Sequence, residues 1–386
     1  MEENSGSPPL PPPAAAPPPP VISPPPRPTT APLPAEPRRG RGWMIFALVL
    51  LVLLTFSVLW NLLSLIGSLG LGEGARYSRP YGPRIEEAVV SREAHAVDKI
   101  AVVPVYGVII GQGAGEGGFV SADVVKAELR RALEDDDVKA VILKVDSPGG
   151  EVLASDEIYR AIAEFQKRKN GKPVVASMGD LAASGGYYVS SPCRWIVAHE
   201  LTITGSIGVI MHGWNYRGLM DKVGVRPEVY KSGRFKDMLS GEREPDQITP
   251  QEREMVQALI DETFGRFKTV VAEGRKWARQ KNGSAGAALS SDWANYADGR
   301  VLSGTEAYKL GFVDQLGTFE DAVEHAKKVA GIASANVVQY QQRYDLADLF
   351  RLFGKTDSKV LKVDLGLDAP KLRAGQLYFL SPTFLH

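Results

Sequence analysis

The chain has 386 residues, with 45 basic and 45 acidic side chains and no formal net charge near neutral pH. This length could hold two average domains, but the composition of both ends favours one large folded unit. A balanced charge gives no overall field for nucleic acid, so we expect no nucleic-acid partner. The single cysteine, Cys193, excludes an intrachain disulfide framework, and with only five histidines we expect no metal site and no cofactor.

Two segments precede the folded unit. Residues 1–42 are dominated by proline, in runs such as PPLPPP and APPPP, and we expect a disordered or polyproline arm. Residues 43–71 carry no charge and are long enough to cross a bilayer, which predicts one transmembrane helix. A cleaved signal peptide is the alternative, but the leading arm is too long for a normal n-region and the apolar segment too long for an h-region.

The orientation of this predicted helix depends on the charges that flank it. The nearest arginines before the apolar segment lie closer to it than those after it; they are Arg38, Arg39 and Arg41 before it and Arg76, Arg79 and Arg84 after it. Positive charge favours the cytoplasmic side, and the acidic Glu73 follows the segment. We therefore expect a cytoplasmic arm and a folded unit on the external side, periplasmic or extracytoplasmic.

Strand and helix patterns alternate in residues 85–345. Apolar, β-branched runs begin at Ile100, Lys139 and Pro173, and apolar residues at helical spacing follow the first two. Ser121 stands where the N-cap of the first of these helices is expected. Such alternation predicts helices packed on a mostly parallel sheet.

The C-terminal half begins with a long helix. Thr249, Pro250 and Glu252 form a capping box with proline at the first helical position, and apolar residues continue at helical spacing to about Gly274 or beyond. Residues 346–386 form a C-terminal extension. Its order does not follow from the sequence, although its segments LFRLF and LYFLSPTFL are apolar enough to dock onto another surface.

Two consecutive strand patterns end in glycine-rich turns, VDSPGG (Val145–Gly150) and MGDLAASGGYYVSS (Met178–Ser191). In an α/β sheet the strand ends that lead into helices carry the site. A serine before two glycines at a helix start places a hydroxyl at the positive end of the helix dipole, and glycine allows close approach to the backbone. Together the turns predict a nucleophile beside two backbone N–H donors of an oxyanion hole. The alternative is that both are merely tight connections.

The full motif set resembles the signal peptide peptidase A family, within the Clp protease and crotonase superfamily. The resemblance covers about residues 98–330 and rests on five segments, DSPGG, SMGDLAASGGYYVSS, TGSIGVI, YKSGRFKDMLS and GRVLSGTEAYKLGFVDQLG. It implies an α/β fold, a repeated ββα spiral core with a mostly parallel sheet, preceded here by one transmembrane helix.

Members of this family use a serine and lysine dyad. The resemblance implies that Ser184, in ASGGYY, is the nucleophile and that Lys236, in GRFKD, is its general base. Ser206, in TGSIG, matches the serine that hydrogen-bonds the lysine. Gly150 and Gly185 match the donors of the oxyanion hole.

A lysine base places demands on its surroundings. An unperturbed lysine amine has a pKa of about 10.4, so the base must be shielded from water to be neutral near pH 7. Asp237 adjoins Lys236, and in an extended segment it would point away from it. Lys231 and His212 are the alternative bases, although no acidic partner for His212 is evident in the sequence.

The resemblance implies a membrane-anchored serine endopeptidase that degrades cleaved signal peptides and other hydrophobic or unfolded peptides through an acyl-enzyme. A catalytically silent membrane scaffold of the same fold is the alternative. A crotonase-type acyl-CoA enzyme is a third hypothesis, ranked last because such an enzyme would need neither the serine and lysine nor the apolar segment. Family members assemble into rings or domes, so we expect a homo-oligomer, with the dyad formed either within one protomer or between two.

Overall fold

The computed structural model describes residues 41–68, 85–111, 118–342 and 377–380. Residues 1–40 of the predicted arm and most of the predicted C-terminal extension lie outside the described residues, so those predictions stay predictions. The chain divides into two compact units, Met1–Ser78 and Arg79–His386.

The first unit contains one described helix, α1 (Arg41–Ser68), which is 28 residues long. Side chains are described for residues 44–59 of this helix, and its large apolar side chains there are exposed. Among the residues that the structure describes, no helix is at once long and apolar enough to cross a membrane. The predicted segment 43–71 is therefore confirmed as helical over most of its length, and its crossing of a membrane stays a prediction.

The second unit alternates strands and helices. Its described strands are β1 (Ile85–Ser91), β2 (Lys99–Tyr106), β3 (Val108–Ile110), β4 (Phe119–Ser121), β5 (Val138–Ser147), β6 (Gly149–Glu151), β7 (Val174–Ala183), β8 (Trp195–Ala198), β9 (Ile203–Gly205), β10 (Ile210–Met211), β11 (Val301–Ser303), β12 (Gln315–Leu316), β13 (Asn336–Gln342) and β14 (Leu377–Leu380). Its described helices are α2 (Ala122–Glu134), α3 (Val152–Lys167), α4 (Gly185–Ser190), α5 (Arg217–Lys222), α6 (Pro250–Lys281), α7 (Gly304–Lys309) and α8 (Phe319–Ala330).

The larger sheet runs in the order β1-β13-β2-β5-β7-β8-β12, with β9 pairing to β7 and β11 to β9. All neighbours from β13 to β12 are parallel, as are β7 and β9, whereas β1 and β11 are antiparallel to their partners. The predicted mixed α/β fold with a mostly parallel sheet is confirmed. Because β5 and β7 are adjacent, the two glycine-rich turns that follow them meet at one edge of the sheet.

A smaller sheet collects the short strands in the order β10-β14-β6-β3-β4. The chain passes twice from a long strand of the larger sheet into this one and then into a helix, as β2-β3-β4-α2 and as β5-β6-α3. Gly107, with φ 75°, makes the first of these transitions, in a conformation that side chains disfavour. Gly149 and Gly150 belong to β6, so the glycine-rich segment after β5 is itself part of the smaller sheet.

Helices cover both faces of the larger sheet, as the continuous apolar strands require. In β2, Ala101 and Val103 belong to the core cluster that includes residues of α2, α3, α4 and α6. The alternating residues Ile100 and Val102 belong instead to the cluster on the α8 side. Two predicted helix starts are confirmed: Ser121 accepts a bond from Asp123 N at the start of α2, and the Thr249 capping box opens α6.

Candidate active site

Ser184 lies at the junction of β7 and α4. It is 1% exposed and has φ 53° and ψ −114°, an unusual backbone conformation for a residue with a side chain. Its N–H donates to Gly205 O at 2.8 Å, and its carbonyl accepts from Tyr188 N at 2.8 Å. Such strain, of order 1–3 kcal/mol, persists only where the surroundings enforce it and clusters at functional sites.

The glycine turn after β5 packs directly against this junction. A Cβ built on Gly185 would lie 2.9 Å from Gly149 Cα and 3.1 Å from Gly150 N. A Cβ on Gly149, whose φ is 102°, would lie 2.6 Å from Gly185 N. Glycine is therefore required on both sides of the contact. The structure thus brings the backbones of Gly150 and Gly185 together, as the oxyanion-hole prediction requires.

Ser206 follows the end of β9 and lies beside the same junction. Ala183 pairs with Gly205 across β7 and β9, so Ser184 and Ser206 each come one residue after a paired position. Ser206 is 3% exposed, has φ 50°, and donates its N–H to Arg300 O at 2.7 Å. It lines a cavity of about 600 Å³ together with Phe264 of α6 and Leu380 of β14. Two carboxylates, of Asp261 and Asp298, also line this cavity, which therefore combines apolar and acidic surfaces beside Ser206.

Lys236 is not brought to this cluster within one chain. Its side chain is exposed, and among the described residues no hydrogen bond or ion pair joins its amine to Ser184 or Ser206. The surrounding segment is a series of turns, with Lys236 N donating to Gly233 O at 3.1 Å. The extended conformation expected for this segment is therefore wrong.

The alternative base Lys231 is engaged with a carboxylate. Its amine donates to both Asp237 oxygens at 2.7 Å. The hydrogen bond from Lys231 holds the pKa of the Asp237 carboxyl below its usual range. This ion pair occupies the Lys231 amine, whereas a general base needs its amine free to receive the serine proton. The Asp237 carboxylate therefore pairs with Lys231. The sequence predicts that this carboxylate points away from Lys236.

The alternative base His212 and the two tyrosines after the candidate nucleophile have structural contacts. The His212 ring packs edge-on against Trp214, with a centroid distance of 5.0 Å, and no described carboxylate hydrogen-bonds it. Tyr187 is fully buried and donates to Phe312 O at 2.9 Å, which makes it a core residue. Tyr188 donates to Asp156 at 2.6 Å. Burial, reinforced by this hydrogen bond, raises the pKa of Tyr188 and keeps its hydroxyl neutral.

Two buried serines support the site and were missed by the sequence argument. Ser147 donates to Gly107 O at 2.6 Å and accepts from Gly149 N at 3.1 Å, which fixes the turn after β5. Ser155 donates to Glu151 O at 2.9 Å. Its Oγ would lie 2.8 Å from a Cβ on Gly185. The role of Ser147 could have been predicted from its position directly before Pro148-Gly149, because a serine hydroxyl at such a position can hydrogen-bond the backbone of the turn.

The strand β14 was also missed as a part of this site. Phe379 is fully buried, and its ring stacks on that of Tyr188 with a centroid distance of 4.8 Å. The apolar character of LYFL suggested docking, but nothing in the local pattern identified the partner.

The arrangement can perform acyl-transfer chemistry. A buried hydroxyl stands at a strained turn, the backbone beside it approaches a second glycine turn, and a cavity lies beside Ser206. Such a site suits a nucleophile that attacks a carbonyl carbon while backbone donors receive the carbonyl oxygen. Among the described residues no group of histidine, cysteine and acidic side chains is arranged to hold a metal ion.

Comparisons with known proteins agree with this chemistry. The family model described as Peptidase family S49 matches residues 166–333, which include Ser184, Ser206 and Lys236. The chain is 41% identical over 217 residues to a putative protease of Synechocystis sp., covering 56% of this chain and 72% of that protein. It is 38% identical over 248 residues to a putative signal peptide peptidase SppA of Enterococcus faecium, covering 63% and 67%. It is 34% identical over 250 residues to Protease 4 of Salmonella typhi, covering 65% and 38%. The chain therefore belongs to peptidase family S49, the signal peptide peptidase A family.

Proposed function

We propose that this peptidase-family member is a serine endopeptidase in which Ser184 is the nucleophile and Lys236 the general base. The observation that carries the proposal is the strained, buried Ser184, whose neighbour Gly185 packs against Gly149 and Gly150. A tight connection without a catalytic role would have no need of a side chain at a φ of 53°.

The reaction follows from this arrangement. Ser184 Oγ attacks the carbonyl carbon of a peptide bond while its proton passes to the neutral amine of Lys236. The N–H groups of Gly150 and Gly185 receive the negative charge on the carbonyl oxygen. The protonated lysine then gives its proton to the leaving amine, which departs and leaves an ester on Ser184. Water, deprotonated by the same lysine, hydrolyses the ester. Ser206 orients the amine without fixing its charge.

We further propose that the lysine reaches the serine of a neighbouring copy. Residues 212–240, which we term the exposed arm, contain no buried residue. The arm nevertheless carries large apolar side chains, with Trp214 75% and Tyr230 92% exposed. Several large apolar side chains left exposed in one segment are typical of an interaction site. Packing of the arm onto a second copy would cover Lys236, and removal from water is what allows a lysine amine to lose its proton near neutral pH.

The proposed substrates are cleaved signal peptides and other hydrophobic or unfolded peptides. Support comes from the cavity beside Ser206, whose lining is apolar on the side of Phe264 and Leu380 although Asp261 and Asp298 also line it. We propose that α1 anchors the protein in a membrane, on the evidence that residues 43–68 of this helix carry no charge, and that the proteolytic unit lies on the external side. Such an anchor would hold the site where apolar peptides collect.

Active-site labelling tests the proposed chemistry against the catalytically silent alternative. A fluorophosphonate probe should modify the full chain at Ser184, as located by peptide mass spectrometry. The probe should fail to label the Ser184→Ala variant and should label the Lys236→Ala variant far more slowly, because the hydroxyl then lacks its base. Peptide hydrolysis should be lost with the label. A full chain that neither reacts with the probe nor cleaves peptides would favour the scaffold.

Mixing two inactive variants tests the shared dyad. The Ser184→Ala and Lys236→Ala variants should each be inactive, and dissociating and reassembling them together should restore activity. In a random ring about one quarter of the interfaces would combine an intact serine with an intact lysine. If the mixed assemblies are shown to form and still have no activity, the dyad must form within one protomer.

A further inference from the structure

A cavity of about 510 Å³ lies on the α8 side of the larger sheet. Its lining comes from β5, β7, the segment that joins β8 to β9, and the start of α8. None of the three candidate site residues Ser184, Ser206 and Lys236 lines it. The chemistry proposed above therefore leaves this cavity without a role.

Two polar side chains lie next to each other in the floor of this cavity. Lys144 and Ser177 are opposite each other in the parallel pairing of β5 and β7. Because side chains alternate across a strand, these two continue the rows of Ile142 and Val175, which pack in the core cluster on the α8 side. Polar groups thus follow apolar ones on the same face of the sheet, where the cavity begins.

The amine of Lys144 has no acidic partner. Its side chain is partly buried, and among the described residues no carboxylate lies within ion-pair distance of its Nζ. This nitrogen lies 4.8 Å from the ring centroid of Phe319, the first residue of α8. A positive charge is unfavourable at a helix N-terminus, where the helix dipole is itself positive. An anion held between the amine and the helix would be stabilised by both.

The first turn of α8 retains free backbone donors. Its capping box uses the N–H groups of Thr318 and Asp321, each bonded to the side chain of the other residue. Among the described residues, the N–H groups of Phe319 and Glu320 have no acceptor. Such groups at the start of a helix bind anions.

Ser177 is a second and independent indication of a ligand. It is 5% exposed and lines the cavity, yet its hydroxyl has no hydrogen-bond partner among the described residues. By contrast, the hydroxyl of Thr202 in the same lining donates to Gly179 O at 2.8 Å and accepts from His199 N at 3.0 Å. A buried hydroxyl is costly without a partner, and an oxygen of a ligand in the cavity would supply one.

The remaining lining restricts the kind of anion. Met178, Leu201 and Ile203 are apolar, and Leu201 is 81% exposed. Asp180 also lines the cavity and adds a negative charge. A ligand with one negative charge and an apolar group therefore suits the cavity better than a phosphate, whose second charge Asp180 would repel.

We propose that this cavity binds the α-carboxylate of an apolar amino acid, either free or at the C-terminus of a short peptide. The carboxylate lies between Lys144 Nζ and the first turn of α8 and accepts a hydrogen bond from Ser177. The apolar side chain packs against Leu201 and Ile203. Hydrolysis of a peptide bond releases such a carboxylate, so a peptidase produces ligands of this class. The inference does not depend on which residues perform that hydrolysis.

A series of related ligands tests the chemistry in the full chain, by saturation-transfer NMR. L-Leucine should bind saturably with a Kd of ~10 mM or lower. L-Leucinamide, which lacks the carboxylate, and glycine, which lacks the apolar side chain, should each bind at least ~10-fold more weakly. N-acetyl-L-leucine separates the two sources: binding within about threefold of L-leucine identifies peptide C-termini, and weaker binding identifies the free amino acid. Tighter binding of inorganic phosphate than of L-leucine would overturn the ligand class.

Variants test the residues of the proposed site. Lys144→Gln should weaken binding of L-leucine at least ~10-fold, whereas Lys144→Arg, which keeps the charge, should stay within about fivefold of the wild type. Ser177→Ala should weaken binding by about threefold or more. The control is Lys139→Gln, because Lys139 lies on the same strand but outside the cavity lining. Binding to the control should stay within about twofold of the wild type.

Photocrosslinking locates the ligand in the unaltered chain, so it does not depend on the folding of any variant. A leucine analogue with a diazirine in its side chain should label residues 177–180, 199–203 or 317–319, as mapped by peptide mass spectrometry. Excess L-leucine should abolish the labelling. Labelling of residues 257–264 beside Ser206 instead, the absence of saturable binding, or equal binding to Lys144→Gln and the wild type would overturn the proposal.

Discussion

Ser184 and Ser206 occupy matching places at the ends of two adjacent parallel strands. Each follows a residue of the Ala183–Gly205 pair, and the two have nearly equal positive φ values, 53° and 50°. The Ser184 N–H donates to the carbonyl that directly precedes Ser206. One strand pairing therefore sets the position of both hydroxyl residues, and the strain at each is held by the same part of the sheet.

Ser184 should carry a cost in stability that glycine relieves. The strain at a positive φ is about 1–3 kcal/mol, and the extra chain entropy of glycine offsets up to about 1 kcal/mol of it. We therefore expect the Ser184→Gly variant to exceed the Ser184→Ala variant by about 1 kcal/mol in free energy of unfolding, measured by chemical denaturation. Both should lose at least ~10³-fold in kcat/KM.

Ser191 provides the control for this comparison. It is also buried but has φ −59° and ψ −31°, an ordinary helical conformation. There the order should reverse, with Ser191→Gly less stable than Ser191→Ala by about 0.5–1 kcal/mol. If glycine lowered stability at both positions alike, the strain assigned to Ser184 would be refuted.

Lys236 and Lys231 form a matched pair for testing the base. Lys236→Ala should lower kcat/KM for a peptide by roughly 10²–10⁴-fold, the usual contribution of a general base. Lys236→Arg should be as inactive, because a guanidinium cannot give up its proton. Lys231→Ala should retain activity within about threefold, since Arg243 still lies 3.8 Å from Asp237 and holds the turn. Greater loss from Lys231→Ala than from Lys236→Ala would exchange their roles.

Patterns within short stretches of sequence were sufficient to predict most of the helices and strands that position the candidate site. The Thr249 capping box and the Ser121 cap depend on residues within three positions of each other, and both are present. The prediction that the two glycine turns meet needed only one further rule, that the carboxyl ends of parallel strands lie at one edge. Adjacency of β5 and β7 satisfies it. The mutual contact of Gly149 and Gly185 follows from that adjacency.

Contacts between distant parts of the chain were beyond the reach of local patterns. The pairing of Phe379 with Gly150 joins residues more than 200 positions apart, and a run of apolar residues does not specify its partner. The turns around Lys236 were predicted as extended because the Lys231 to Asp237 ion pair, which bridges them, depends on side-chain geometry. The surroundings of Lys236 in an assembly are not encoded in the local sequence at all.

The close contact between the glycine turns can be tested by adding one methyl group. Gly185→Ala should place its Cβ 2.9 Å from Gly149 Cα and 3.1 Å from Gly150 N, so backbone must shift. We expect a loss of about 1–3 kcal/mol in free energy of unfolding and of at least ~10²-fold in kcat/KM. Gly265→Ala is the control, because it lies within α6 with nothing near its Cβ position. It should raise stability by about 0.5–1 kcal/mol.

A buried acid on α2 should make the stability of the protein depend on pH. Glu128 of α2 is 3% exposed, and its Oε2 has no hydrogen-bond partner among the described residues. Burial raises the pKa of Glu128 to about 9. The folded state thus binds this proton more tightly than the unfolded state, and stability is lost as pH rises from about the ordinary glutamate value toward 9.

Replacement of Glu128 by the uncharged, similarly shaped glutamine removes that loss. The Glu128→Gln variant should gain on the wild type as pH rises from 5 to 8, by at most about 1.4 kcal/mol per pH unit, in chemical denaturation at each pH. The control is Glu134→Gln, at an exposed position of the same helix, which should change stability by less than about 0.5 kcal/mol at either pH. Because only an ionising buried carboxyl produces a pH-dependent difference, a constant difference between Glu128→Gln and wild type would mean that Glu128 does not titrate in this range.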